Sequence, residues 1–293
     1  MSEFLPAPTL KRKLEVERPS LVRTYSERMT SENRAFLTTA IHAAQAAAKL
    51  QQFYAGGDLE INTKSSETDL VTKVDKLCEE KIREIIERDF PDHVVLGEEG
   101  GQPEGEYSHR WIVDPVDGTT NYAQGFPFYC VSIGLEINGT VEVGVVLDSV
   151  RNELFTAVRG EGAYLNGVPI NTTKKTELIK AVLATGFAYH KGTVHENIEV
   201  FGRVHQQVRS IRRPGAAALD LSYVACGRLD GFWALKLKPW DVAAGVLLVQ
   251  EAGGAVTGPG GEPYELNSRV MVASNGHLHA KLVDLLNLTE AIA

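Results

Sequence analysis

Cysteine is scarce in this chain, three in 293 residues, and none stands in a C-x-x-C pair or beside a histidine. That spacing argues against a disulfide framework and against a zinc site of Cys and His ligands. Cys78 falls on a helical stripe and Cys130 in an apolar run, so buried thiols in a reducing compartment are expected. No run approaches the ~18 consecutive apolar residues of a membrane span. The N-terminus also lacks the apolar core of a secretory signal, so a cytoplasmic location is expected. Positive charge is in deficit: 30 Lys and Arg against 38 Asp and Glu leave a net charge of −8. General affinity for nucleic acid or an anionic membrane is therefore not expected. No period of ~20–50 residues recurs, which excludes a repeat architecture.

What is present is an ordinary globular composition, 43% hydrophobic and 23% charged. Residues 1–30 differ from the rest, with Pro6, Pro8, Pro19 and the basic trio Lys11, Arg12 and Lys13. They are read as a tail, disordered or loosely docked. From Ser31, taken as a cap, an alanine-rich helix runs to Gly56 and Gly57, and a second spans about 69–90. Short strands at 94–96 and 110–113 lead into a strand-rich middle. There Asn138-Gly139 separates runs 130–137 and 140–147, and Asn166-Gly167 marks another tight turn. Beyond about residue 180 strands and helices alternate. A layered α/β domain over 31–293 is expected, with sub-lobes at about 31–180 and 181–293.

The densest chemistry lies in Asp114-Pro115-Val116-Asp117-Gly118-Thr119-Thr120-Asn121-Tyr122, directly after the strand-like Arg110 to Val113. Two carboxylates leave a strand end, and Gly118, Thr119 and Thr120 offer backbone amides and hydroxyls beyond them. Two readings fit. One is an Asx turn with a helix cap; the other is hard oxygen ligands for Mg²⁺ beside an anion cradle. Two further acidic clusters stand at element boundaries: Glu98-Glu99 after the 94–96 strand, and Asp241 after Pro239-Trp240 at a helix start. Each alone reads as a solvated turn or an N-cap; together they are enough carboxylate for two or three Mg²⁺ ions. His190, His195, His277 and His279 read as surface residues.

In this order, with Lys64 to Asp75 (K-S-S-E-T-D-L-V-T-K-V-D) ahead of them and Gly253-Gly254 behind, these motifs resemble the inositol monophosphatase family. The resemblance covers roughly residues 31–290. It implies a layered α-β-α-β-α sandwich of the sugar-phosphatase type, usually a homodimer, and a lithium-sensitive, Mg²⁺-dependent hydrolysis of a small phosphorylated substrate. By position, Glu98, Asp114 and the Val116 carbonyl would bind one Mg²⁺, and Asp114, Asp117 and Asp241 a second. Glu98 would help hold a third. Asp75 and Thr119 match the pair that activates water, the Gly118 and Thr119 amides the phosphate cradle, and Gly215 and Ala217 the substrate segment. One position departs: the family's inositol-contacting carboxylate, seven residues before the aspartate of W-D, is Ala234 here. The resemblance therefore supports inositol monophosphate first. Fructose-1,6-bisphosphate, histidinol phosphate or a 3′-phosphonucleotide are the alternatives, and an RNA- or transcription-machinery-binding role comes last.

Overall fold

The computed structural model of the chain describes residues 29–64, 66–67, 69–101, 104–105, 107–187 and 194–288, without the side chains of 194–196. The basic trio and prolines of the expected tail lie outside them, as do His190 and the His195 side chain.

Helix α1 (Ser31–Tyr54) is capped by Thr30, whose hydroxyl accepts from the Asn33 amide at 3.1 Å; the expected cap, Ser31, is the first helical residue. Buried Ala40, Ala43, Ala44, Ala47 and Ala48 let its backbone lie close to the layer beneath. Strands β1 (Asn62–Thr63) and β2 (Leu70–Val71) form a small antiparallel pair. Helix α2 (Lys73–Asp89) therefore starts four residues later than expected. Its capping box, with Thr72 and Asp75 reciprocally bonded, outcompetes Asp69 as the start signal.

The first sheet has seven strands in sequence order: β3 (Val94–Gly97), β4 (His109–Asp117), β5 (Cys130–Ile137), β6 (Thr140–Asp148), β7 (Glu153–Val158), β8 (Gly162–Leu165) and β9 (Val168–Ile170). All neighbours are antiparallel except β3 and β4. Both expected hairpins form. Asn138 and Gly139 sit at φ 49° and 82°, Asn166 and Gly167 at 50° and 78°, the left-handed pair that a two-residue turn demands. Helix α3 (Thr119–Ala123) sits between β4 and β5. The second sheet contains β10 (Val182–Thr185), β11 (Ser210–Arg212), β12 (Gly231–Leu235), β13 (Ala255–Thr257) and β14 (Val270–Ser274), ordered β11-β10-β12-β14-β13. The remaining helices are α4 (Val194–His205), α5 (Ala217–Ala225), α6 (Pro239–Glu251) and α7 (His279–Leu286).

Three apolar cores separate five layers. Phe36, Ile82, Trp111 and Ile133 fill the first, between α1, α2 and the large sheet. Ile112, Phe155, Leu221, Leu247 and Phe232 fill the second, around α5 and α6 between the sheets. Leu183, Trp233 and Leu282 fill the third, under α4 and α7. Neighbours Trp111 and Ile112, and again Phe232 and Trp233, enter different cores. This is the period of two at work in strands buried on both faces. The architecture is the α-β-α-β-α sandwich. His279 is not the surface residue the sequence suggested: it is half-buried, sharing hydrogen bonds with Thr257 and Ser274 at 2.9 Å each. His277 is exposed.

Helix α6, which carries Asp241, reaches the large sheet through two glycines that face each other across β5 and β6. A Cβ on Gly134 would stand 2.9 Å from the Ala243 Cβ, and one on Gly144 would stand 2.9 Å from the Ala244 carbonyl oxygen. Only glycine permits that approach. Gly144→Ala is expected to lift α6 and cost roughly 1–3 kcal/mol of stability, read as a lower urea midpoint with an unchanged slope.

Candidate active site

Strand β4 runs through the motif rather than ending before it. Its register with β5 slips between Asp114, opposite Ser132, and Asp117, opposite Cys130. Three steps on β4 meet two on β5, a bulge at Pro115-Val116 that re-aims both carboxylates. Proline suits the bulge because it has no N–H to leave unpaired. The Val116 amide donates to Asp114 Oδ1 at 3.0 Å, and the Pro115 carbonyl accepts from Gln51 Nε2 at 2.9 Å. Gly118 then takes φ 95° with Phe128 and Ala216 against it; a Cβ there would stand 3.0 Å from the Phe128 oxygen.

Asp117 reaches across to the second half of the chain. Its Oδ1 accepts from the Ala217 amide at 3.2 Å and its Oδ2 from the Ala218 amide at 2.7 Å. Helix α5 has no side-chain cap of its own at Ala216, so an aspartate 100 residues away does that work. Gly215 and Ala217 line one cleft with Asp117 and Asp241. Asp241 opens α6, its Oδ2 accepting from the Lys238 amide at 2.7 Å.

The third contributor is α2. Asp75, fully buried, accepts at Oδ2 from the Thr72 amide (2.8 Å) and hydroxyl (2.5 Å). Its Oδ1 accepts from Thr119 Oγ1 at 2.9 Å, and the same hydroxyl lies 3.0 Å from the Val116 carbonyl. One turn on, Glu79 accepts from the amides of Glu99 (2.8 Å) and Gly100 (2.9 Å). Arg83 completes the grip, pairing with Glu79 at 2.9 Å and donating to the Val95 and Gly101 carbonyls. A Cβ at Gly97 or Gly100 would fall 2.3 Å or 2.7 Å from the Glu79 carboxyl and push it out of these hydrogen bonds. This clamp fixes the turn that presents Glu98. Lys64 bridges Glu98, at 2.7 Å, and Glu99.

The structure thus brings Asp75, Glu98, Asp114, Val116, Asp117, Gly118, Thr119, Gly215, Ala217 and Asp241 into one region. Sequence reasoning missed Gln51, Glu79 and Arg83. The one available signal was a polar residue, Gln51, continuing the buried stripe of Ala40, Ala44, Ala47 and Ala48.

Burial pushes Glu98, Glu99, Asp117 and Asp241 each up to about 7. Asp114 is raised well above the ordinary range by burial and then by the charges of Glu98, Asp117 and Asp241. Asp75 is raised by burial against the hydrogen bonds from Thr72 and Thr119. These acids share one field, although among the described residues no three side chains close on a common point as the ligands of an ion do. An all-oxygen, mutually repelling donor set suits a hard divalent cation and no softer one.

A layered α/β fold with carboxylates gathered at strand and helix ends defines the class of a sugar-phosphatase-like hydrolase. The chain matches the inositol monophosphatase family over residues 32–290, and it belongs to that family. It is 43% identical over 238 residues to inositol monophosphatase 1 of Solanum lycopersicum, covering 78% of this chain and 86% of that one. It is 41% identical to the Nus factor SuhB of Escherichia coli K12, covering 85% and 95%. The inositol monophosphatase structure from Anabaena (Nostoc) sp. PCC 7120 superposes with a TM-score of 0.80 at 41% identity, covering 87% and 96%. Members are phosphatases acting on small phosphorylated substrates, and the family is generally metal-dependent. No helix among the described residues is long and apolar enough to cross a membrane.

Raised carboxylates bind more protons in the folded chain than in the unfolded one. Stability in chelator should therefore fall as pH rises from about 4, the unfolded carboxylate value, to about 7, the folded one. Thermal melts in EDTA across that window check the sign, and Asp117→Asn should flatten the slope.

Proposed function

We propose that this chain hydrolyses a small phosphomonoester with Mg²⁺ as cofactor, two to three ions to a site. The observation that carries the reading is the shared field of Asp114, Asp117, Glu98 and Asp241, hard oxygen donors raised by burial and by one another. Glu98, Asp114 and the Val116 carbonyl would hold one ion, Asp114, Asp117 and Asp241 a second, and Glu98 part of a third. Bound there, the metal would screen the phosphate charge, lower the pKa of a water and stabilise the leaving alkoxide.

The protein's own groups handle the proton and the orientation. Thr119 Oγ1 donates to Asp75 Oδ1 and so keeps its lone pairs free to accept from the attacking water. The proton passes through that hydroxyl to Asp75, where burial favours the protonated acid. The Gly118 and Thr119 amides cradle the phosphate, and Gly215 and Ala217 bound the space for the alcohol. Water is the nucleophile. The names of the tomato and Anabaena relatives make inositol monophosphate the reference substrate. Ala234 keeps fructose-1,6-bisphosphate, histidinol phosphate and 3′-phosphonucleotides as alternatives. Lithium sensitivity, a homodimer and a cytoplasmic location belong to the same reading.

One observation favours a second role: the 41% identity to the Nus factor SuhB. That role would be binding to transcription machinery, and the net charge of −8 weighs against RNA itself as the partner. For the enzymatic reading, Asp114→Asn should lower Mg²⁺-dependent phosphate release at least about 100-fold with an unchanged circular dichroism spectrum. Activity near that of the wild type would reduce the stretch to a capped turn.

A further inference from the structure

Pro115 and Val116 form the bulge that separates Asp114 from Asp117, and the peptide between them is held from both ends. Its amide donates to Asp114 Oδ1 at 3.0 Å, and its carbonyl accepts from Gln51 Nε2 at 2.9 Å. The next carbonyl, that of Val116, accepts from Thr119 Oγ1 at 3.0 Å. Turning this one peptide plane therefore moves the Asp114 carboxylate and the Val116 carbonyl together.

Gln51 is fully buried in α1, 64 residues before the peptide it holds. Its Nε2 also lies 3.4 Å from the Cys130 carbonyl, on the strand across the bulge. The two N–H groups of one amide thus reach β4 and β5 where their register slips. The orientation of that amide is set. Ser149 Oγ donates to Gln51 Oε1 at 2.6 Å, which leaves Nε2 to face the bulge. Tyr122 Oη donates to the Gln51 backbone carbonyl at 2.8 Å, tying α1 to α3 at the end of the motif. Both polar atoms of the side chain are used, as a buried amide requires.

We infer that Gln51 is a positioning residue for the first Mg²⁺: by locking the Pro115–Val116 peptide it sets the affinity of Asp114 and the Val116 carbonyl for the ion. The inference rests on the metal-dependent phosphatase reading above and adds a residue that would touch neither ion nor substrate. Ligands that must be brought into line on binding cost affinity, and ligands already held in line do not. Without the Gln51 amide the buried Pro115 carbonyl loses this donor, so the peptide is free to turn and Asp114 turns with it. A bond that served stability alone would shift the melting temperature and leave ion affinity where it was.

The test is calorimetric Mg²⁺ binding to the metal-free protein, with melts in EDTA alongside. Gln51→Met keeps the length and bulk of the side chain and removes its donors and acceptor. It should weaken Mg²⁺ binding at least about tenfold, and phosphate release lost at low Mg²⁺ should return at excess Mg²⁺. Asn275→Leu is the control for stability. That buried amide bonds Thr173, the Lys175 carbonyl and the Leu278 amide, none of them in the site. Its loss should lower the melting temperature and change Mg²⁺ affinity less than about twofold. Where Gln51→Met does not fold, Ser149→Ala carries the test. It frees the amide to turn over without deleting it, and should weaken Mg²⁺ binding at least about threefold. A smaller loss than this in whichever variant carries the test, or an equal loss in Asn275→Leu, would overturn this inference alone. A wild type that binds no Mg²⁺ would overturn the metal reading and this inference with it.

Discussion

Everything in this structure turns on holding carboxylates together against their own repulsion. Glu98, Asp114, Asp117 and Asp241 raise one another's proton affinity, and burial raises it further. A chain does not gather such groups without a mechanical reason to keep them in place, because each buried charge costs several kcal/mol unless compensated. Here each is held by a different device. The β4 bulge and Gln51 aim Asp114, and the α5 amides hold Asp117. The Glu79–Arg83 clamp sets the Glu98 turn, and the first turn of α6 carries Asp241.

The layers explain why those devices meet. Helices α2 and α6 lie on opposite faces of the large sheet, and β4 runs between them with its site end at the bulge. The close approach of α6 over Gly134 and Gly144 is therefore part of the site as well as of the core. The reaction and its specificity separate along the same geometry. The carboxylates and the Asp75–Thr119 pair account for how a phosphate ester would be cleaved. Gly215, Ala217 and the apolar residues beside Ala234 bound the space an alcohol would occupy.

Much of this was legible in the sequence because it is local. Asn138-Gly139 and Asn166-Gly167 specify their hairpins by backbone conformation alone, and the ordered acidic motifs mark strand and helix ends. What was not legible depends on partners far along the chain. Gln51 bonds a carbonyl 64 residues away and Asp117 caps a helix 100 residues away, so neither role leaves a pattern in its neighbourhood. Glu79 reads as an ordinary solvated position of an amphipathic helix until the glycines of Gly97–Gly101 fold over it. Three-residue strands such as β11 and β13 are too short to show a period at all. The second helix began late because Thr72 and Asp75 form a better cap than any residue near Asp69.

The most direct test is to titrate Mg²⁺ into the metal-free protein calorimetrically, in buffers of different ionisation enthalpy, from about pH 8 to about pH 6.5, which spans the raised carboxylates. The account predicts binding with net proton release that grows as pH is lowered through 7, since the ion must displace protons held by the cluster. Saturable Mg²⁺ binding with no proton release across that range, or no binding at all, would contradict it.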